Sequence, residues 1–292
     1  MSEPSLNELG PPVDWQGCAV DCAGCACREL LAREACRIGH ACVHDRYAKR
    51  IDRFFSWNPE RARDFLGHPY FEVRAVAAKH VDVFHLPQLI LDPDETVRWS
   101  AALRLPPRQL LTLVSDPHRE VRIRVAARLD PHDLDVMIDD PDYYVRQVVA
   151  RRIPEHRLTL MMQDEDPAVR CTVAGRIGEA WLPAMARDGE AAVRREAAKR
   201  MKAWQLLLLM DDPDWRVRYE VARRMKAWQL LLLKDDPDWR VRYEVASRAE
   251  RSHLGRLADD EDELVRGVAR HRLGRGSGAG RPVSLKQACQ PF

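Results

Sequence analysis

Asp212-Pro213-Asp214-Trp215-Arg216-Val217-Arg218 recurs 24 residues further on as Asp236-Pro237-Asp238-Trp239-Arg240-Val241-Arg242. The units that start at Met201 and Met225 differ only at Met210 against Lys234 and Arg223 against Ser247, so one reads as a copy of the other. Outward from this pair, Val-Arg stands at Val73, Val97, Val121, Val145, Val169, Val193, Val217, Val241 and Val265 without a slip in the 24-residue period. So strict a period is the signature of a stacked repeat array. About six apolar side chains per unit, at roughly 1.5–3 kcal/mol each, do not offset roughly 1–2 kcal/mol of backbone ordering per residue. A unit therefore cannot stand alone.

Alignment on the valine predicts the elements. Five residues before it stands Asp92, Asp116, Asp140, Asp164, Asp188, Asp212, Asp236 or Asp260, with His68 in the first unit, and Pro follows in six of the nine units. Asp as an N-cap and Pro at the first helical position both mark helix starts, so a helix is expected to begin at each Asp. Apolar residues recur zero, four, five and eight places from the valine, as in Val97, Ala101, Ala102 and Leu105, and draw one helical stripe. A second apolar pair three residues apart follows, such as Leu86 and Leu89 or Leu134 and Met137. A first helix of about 13 residues climbs roughly 20 Å, and a 3₁₀ return of about 2.0 Å per residue covers that distance better than an α-helical one. No useful stretch alternates with period two, so no sheet is expected.

These features, Asp-Pro, Val-Arg, Val-Ala and the Leu pair from roughly Asp64 to Leu273, resemble the leucine-rich repeat variant proteins. The resemblance implies an all-α fold, a right-handed superhelical solenoid of alternating α- and 3₁₀-helices. The expected organisation is a cysteine-rich module and solenoid cap at 1–60, the repeat solenoid at 61–273 and a flexible tail at 274–292, where Gly274 to Gly280 is Gly-rich.

Six of the eight cysteines lie between Cys18 and Cys42. With no secretory signal, such density reads as a metal or cluster site ahead of a disulfide framework. Four soft thiolates suit a tetrahedral zinc or a cubane cluster, and spacing does not separate the two. Some proteins of the resembling family carry an N-terminal [4Fe-4S] module with a Cys-x2-Cys pair, two later cysteines and a basic, aromatic helix. This chain is similar, with Cys22, Cys25, Cys36 and Cys42 followed by Tyr47, Arg50, Ile51, Phe54 and Phe55. The resemblance thus implies those four cysteines as ligands of a [4Fe-4S] cluster. Cys18, Cys27, Cys171 and Cys289 are then expected to be small buried side chains. His40 and His44, which could join Cys42 on zinc, are expected at the surface or behind the ligands. Tyr47, Ile51, Phe54 and Phe55 are expected to cover the end of the solenoid, with residues 44–67 as a degenerate unit.

Cys18, Cys22 and Cys25 also spell the three-cysteine motif of radical S-adenosylmethionine enzymes. No strand-helix barrel follows, and further cysteines stand ready to close the cluster. No phosphate loop or nucleophile motif is present either, so the chain is not expected to be an enzyme.

Two arginine ladders remain. The Arg beside each valine, such as Arg122, falls inside the apolar arc and needs a partner. Asp116 or Asp92 is expected to supply it, as in the ladders of HEAT repeats. Arg104, Arg128, Arg152, Arg176, Arg200, Arg224, Arg248 and Arg272 fall at the edge of the stripe. They could track a phosphate backbone or an acidic protein, but are expected to form a solvated face paired with acidic residues of the next unit. A net charge of +2, from 47 basic and 45 acidic residues, argues against a strongly basic nucleic-acid glove. The longest apolar run, Leu206 to Met210, is too short to cross a bilayer, and a cytoplasmic location is expected. These features favour a binding scaffold for a protein partner, with a cluster that is redox-active or structural, over a nucleic-acid-binding solenoid or an open-iron enzyme. The resembling family occurs in nitrogen-fixing bacteria, which implies a partner in that metabolism.

Overall fold

The computed structural model describes residues 10–274; Cys289 and the tail expected at the C-terminus lie outside the described residues, except for Gly274. The chain divides into two compact units, one ending at Ile153 and the other beginning at Pro154. The first contains α1 (Arg28–Ala32), α2 (Ala48–Trp57), α3 (Phe71–His80), α4 (Glu95–Ala102), α5 (Pro107–Leu110), α6 (Arg119–Arg128) and α7 (Tyr143–Arg152). The second contains α8 (Pro167–Ala174), α9 (Leu182–Met185), α10 (Ala191–Ala198), α11 (Trp215–Arg224), α12 (Trp239–Arg248) and α13 (Glu263–Leu273). Short 3₁₀ helices stand between the repeat helices, as at Val83–Leu89, Pro131–Met137, Glu155–Met161 and Gln205–Leu209. Among the described residues extended pairing is limited to two isolated bridges, Val13 with Ala19 and Arg37 with Ala41.

The period works as the apolar pattern demands. Val97, Ala101, Ala102 and Leu105 are fully buried, as are Val121, Val125, Ala126 and Leu129 in the next unit. The alanines on this stripe leave room for successive helices to pack closely. Leu86 and Leu89, or Leu134 and Met137, share one face because residues three apart eclipse in a 3₁₀ helix.

The helices start two residues later than their aspartates suggest. Asp94 caps α4 by accepting from Thr96 N–H at 2.9 Å, and Asp142, Asp166, Asp214, Asp238 and Asp262 cap their own helices in the same way. The Asp five before the valine instead holds the turn: Asp94 N–H donates to Asp92 Oδ1 at 2.9 Å. Of the repeat helices only α8 has proline at its start, at Pro167. Elsewhere the Asp-Pro proline lies in that turn, and carbonyls such as Pro93 O accept from the ladder arginine at 3.1 Å. The helices are consequently 8 residues in α4, 10 in α6 and 11 in α13, rather than about 13. A ten-residue α-helix climbs about 15 Å and a seven-residue 3₁₀ helix returns about 14 Å, so the shorter helix closes the repeat better.

Both arginine ladders act within the fold. Arg122 Nε and Nη2 reach Asp140 of the following repeat at 2.8 and 3.2 Å, and Nη1 reaches the carbonyl of Asp116 at 2.8 Å. The carboxylate of Asp116 belongs to Arg98, at 2.7 Å. The expected partner was thus one repeat out of place: the pairing runs forward, because the arginine already holds its own turn through backbone oxygen. Arg194 with Asp212 and Arg218 with Asp236 repeat the bidentate geometry in the second unit. The second ladder is half-buried in most repeats and exposed at Arg224 and Arg248. Its acceptors are mostly backbone carbonyls of the preceding repeat, where acidic residues of the next unit were expected. Arg128 Nη1 donates to Ala102 O at 2.6 Å and Leu105 O at 2.9 Å, and Arg104, Arg200, Arg224, Arg248 and Arg272 likewise bond carbonyls of the preceding repeat. Those carbonyls include helix-end acceptors with no partner further along their own helix.

Candidate cluster site

The six N-terminal cysteines lie on a chain that folds mostly through turns. Asp14 Oδ1 accepts from Gln16 N–H and Cys18 N–H at 2.9 and 2.8 Å, and Gly17 takes the positive φ of 89° that this tight turn requires. Asp21 holds the next turn through Ala23 N–H at 2.8 Å. α1 then ends in a turn with Glu34 at φ 58°, where Ala35 N–H returns to Leu30 O at 2.9 Å. The bridge between Arg37 and Ala41, turning at Gly39 with φ 72°, folds the chain back so that Cys36 and Cys42 meet.

α2 supports this loop. Ile51, Phe54 and Phe55 are fully buried, with edge-to-face rings at Phe54, Phe55 and Phe65. Asn58, also buried, donates to Ala35 O at 2.8 Å and so ties the residue before Cys36 to the end of α2. Tyr47 is half-buried, with the Arg46 guanidinium 4.9 Å from its ring centroid. Residues 44–67 do follow the repeat order, with α2 leading into the 3₁₀ helix Pro59–Phe65. Arg50, in phase with the first ladder, pairs inward with buried Asp45 at 3.0 Å. The reason lies one unit on, where His68 replaces the usual aspartate. Its Nδ1 accepts from Tyr70 N–H at 3.1 Å, which keeps the turn but offers no carboxylate.

The thiols expected as ligands influence one another. Cys36 hydrogen-bonds Cys42, and that bond, burial and the nearby Cys42, Cys22 and Cys25 sulfurs all push its thiol up. Cys42 is held down by the Cys36 hydrogen bond, against burial, with help from the backbone at His44 and Asp45. Burial, Cys42 and Cys25 raise Cys22. Cys36 and Cys42 are buried, whereas Cys22 and Cys25 are half-exposed. Among the described residues no three His, Cys, Asp or Glu side chains converge as they would on a single metal ion. Cys36 and Cys42 meet directly, and Cys22 and Cys25 lie close enough to act electrostatically on Cys36. A donor set of soft thiolates within one small loop fits an iron-sulfur cluster.

The remaining cysteines differ. Cys18 is exposed and Cys171 half-exposed, against the expectation of burial; Cys27 is buried. His40 lies beside Arg53 and Trp57, and His44 beside Phe65 and His68. Asp14, Asp45 and Asn58 went unnoticed in the sequence as supports of the site. Only Asp14 carried a local signal, an Asp three residues before a Gly.

A helical repeat array with a cysteine-rich module at its N-terminal end defines the class of protein. The profile of the family described as "LRV protein FeS4 cluster" matches residues 12–64. A solved leucine-rich repeat variant, described as having a novel repetitive structural motif, superposes with a TM-score of 0.64 at 39% identity, covering 87% of this chain and 98% of its own. The chain belongs to the leucine-rich repeat variant family and carries its FeS4 cluster domain. An uncharacterized 27.7 kDa protein in the nifB 3' region of Rhodobacter capsulatus is 53% identical over 98 residues, 33% of this chain. The chain spans 40% of that relative's length. No helix among the described residues is long and apolar enough to cross a membrane.

Proposed function

We propose that this protein is a cytoplasmic binding scaffold with a redox-capable cluster, in which Cys22, Cys25, Cys36 and Cys42 hold one [4Fe-4S] cluster. The observation that supports the ligand set is the fold-back between Arg37 and Ala41, which brings Cys36 against Cys42, with the half-exposed Cys22 and Cys25 on the turns that precede them. When bound, the cluster would supply one-electron chemistry. The chain's own part is to bury Cys36 and Cys42 on the loop that α2 supports and leave Cys22 and Cys25 toward solvent, an arrangement suited to exchanging electrons with a partner. The protein acts by binding and not by catalysis.

The partner in this reading is a protein. Trp204 and Trp228 are 67% and 62% exposed, and Leu208 and Leu232 are each 56% exposed, all beside the 3₁₀ segments of the second unit. Large apolar side chains exposed at the same position of successive repeats suit a protein contact. A nucleic-acid partner is less favoured because most of the second-ladder arginines already serve backbone carbonyls. The location of the Rhodobacter relative in the nifB 3' region is consistent with a partner from nitrogen-fixing metabolism.

Iron and acid-labile sulfide analysis of anaerobically purified protein tests the cluster. About four irons and a matching amount of sulfide per chain are expected for a cubane. One zinc and no sulfide would overturn the reading.

A further inference from the structure

At the 3₁₀ helices Gln205–Leu209 and Leu230–Leu233, the two copied repeats present the same side chains to solvent in the same order. Lys226 comes first, then Trp228, then Leu232, then Asp235, and all four are exposed. One repeat earlier Lys202, Trp204, Leu208 and Asp211 stand in those places and are exposed likewise. From Lys226 to Asp235 the chain covers on the order of 18 Å at a 3₁₀ rise of about 2.0 Å per residue. The face thus carries a basic edge, a tryptophan row, a leucine row and an acidic edge. Within the chain Lys202 meets Glu179 and Arg256 meets Asp235, each at 3.1 Å, but both are exposed pairs of little worth and easily exchanged.

Such an order is complementary to itself in one arrangement. A twofold axis lying in the contact plane along the row of repeats reverses each 3₁₀ segment and keeps the repeats in step, as an isologous interface requires. Lys226 of one copy then faces Asp235 of the other, Lys202 faces Asp211, and Trp228 lies beside Leu232. A twofold axis across the row would set lysine against lysine. The extent of the face also suits a contact. Two tryptophans about two-thirds exposed and two leucines more than half exposed leave on the order of 500 Å² of apolar surface in one copy, with up to about 250 Å² in each whole tryptophan. The charged edges bring this toward the roughly 800 Å² per partner of a standard interface, at its smaller end.

Resting on the assignment of the tryptophan face to a protein contact, we propose that its partner is a second copy of this chain. The two copies dock 3₁₀ segment against antiparallel 3₁₀ segment about that twofold axis.

Sedimentation velocity of the anaerobically purified full chain tests the pairing. A dimer with a Kd on the order of 1–100 µM is expected for so small a face. Trp204→Ser combined with Trp228→Ser should weaken it at least about tenfold, as loss of central aromatic anchors does. Lys202→Glu with Lys226→Glu makes both edges acidic, and Asp211→Lys with Asp235→Lys makes both basic. Each of these proteins alone should be monomeric, because like charges then oppose one another across the contact. An equimolar mixture of the two should recover the dimer, each copy supplying the sign the other needs. All the changes lie at exposed positions, so thermal midpoints should match wild type. A wild-type chain that stays monomeric across that range overturns the second copy as occupant and leaves the face to a different protein. A dimer that persists in the tryptophan variant strikes deeper, since the tryptophan face is then no contact and the reading beneath the proposal fails with it. Charge variants that dimerise alone, or stay monomeric when mixed, overturn the antiparallel arrangement.

Discussion

The repeats and the cysteine module use polar residues in opposite ways. In α3, α4 and α6, and again in α8, α10, α11 and α12, a ladder arginine recurs in the same surroundings, and neighbouring repeats supply the same acceptors again and again. Between Val13 and Asp64 each support occurs once: Asp14 for one turn, Asn58 for the Cys36 loop, Asp45 for Arg50. Repetition makes the array tolerant, because damage is confined largely to nearest neighbours. The module has no such redundancy, and the four thiols at its centre repel one another as thiolates unless metal neutralises them. The chemistry therefore sits where the period fails.

The largest effect should follow from removing a ligand. Cys36→Ser or Cys42→Ser should abolish most of the bound iron and expose Phe54 and Phe55, which pack directly behind the loop. Helices from α8 onward should keep their amide protection, as read by hydrogen exchange. Global loss of protection would break the contrast between a fragile module and a tolerant array.

Within the array, Arg122→Ala leaves buried Asp140 without its bidentate partner. Breaking a buried pair in this way costs about 3–5 kcal/mol, measurable as a lower denaturant midpoint. The carboxylates also make the array acid-sensitive. Burial pushes Asp188 and Asp260 up, but Arg170 and Arg242 with backbone N–H groups outweigh it and hold both below the ordinary carboxylate range. A folded-state value below the unfolded one, about 3.9, contributes stability above that pH. The contribution is lost as pH falls further, through the folded-state values. Denaturation midpoints that stay constant down through pH 3 would show that these pairs add nothing.

Arg128→Ala should cost less, about 1–3 kcal/mol, because it leaves the Ala102 and Leu105 carbonyls short of a donor without stranding a charge. Its affinity for duplex DNA at low salt should not change. A clear drop in salt-dependent binding, with stability intact, would turn the second ladder into a nucleic-acid track.

Much of the array was legible in the sequence because one physical demand, burying Val97, Ala101, Ala102 and Leu105 in every unit, repeats too often to be obscured. The alternation of α and 3₁₀ helices followed from the three-residue spacing of Leu86 and Leu89. What stayed hidden were the acceptors. No sequence pattern announces that Arg128 will bond the carbonyls of Ala102 and Leu105. Nor does spacing show that Arg122 reaches forward to Asp140, since Asp116 stands nearer in sequence. In the module, Cys36 and Cys42 were expected as ligands through family likeness, whereas Asn58 acts through a contact that has no periodic signature.

The smallest effect separates the two aspartates of the Asp-Pro-Asp turn, of which the first was expected to be the cap and the second is. Asp94 makes one cap, to Thr96 N–H, and its replacement by Ala should cost about 1 kcal/mol. Asp92 holds Asp94 N–H and also accepts from Arg74 Nε and Nη2 at 2.7 and 2.8 Å, with the Arg74 side chain only 11% exposed. Asp92→Ala loses the turn and strands the guanidinium, so it should destabilise the first unit clearly more than Asp94→Ala does. In the double variant the two costs should fall short of adding, because both act on the same turn. If Asp94→Ala proves the more damaging, the aspartate before proline is no ion-pair partner, and the ladder loses its part in joining one repeat to the next.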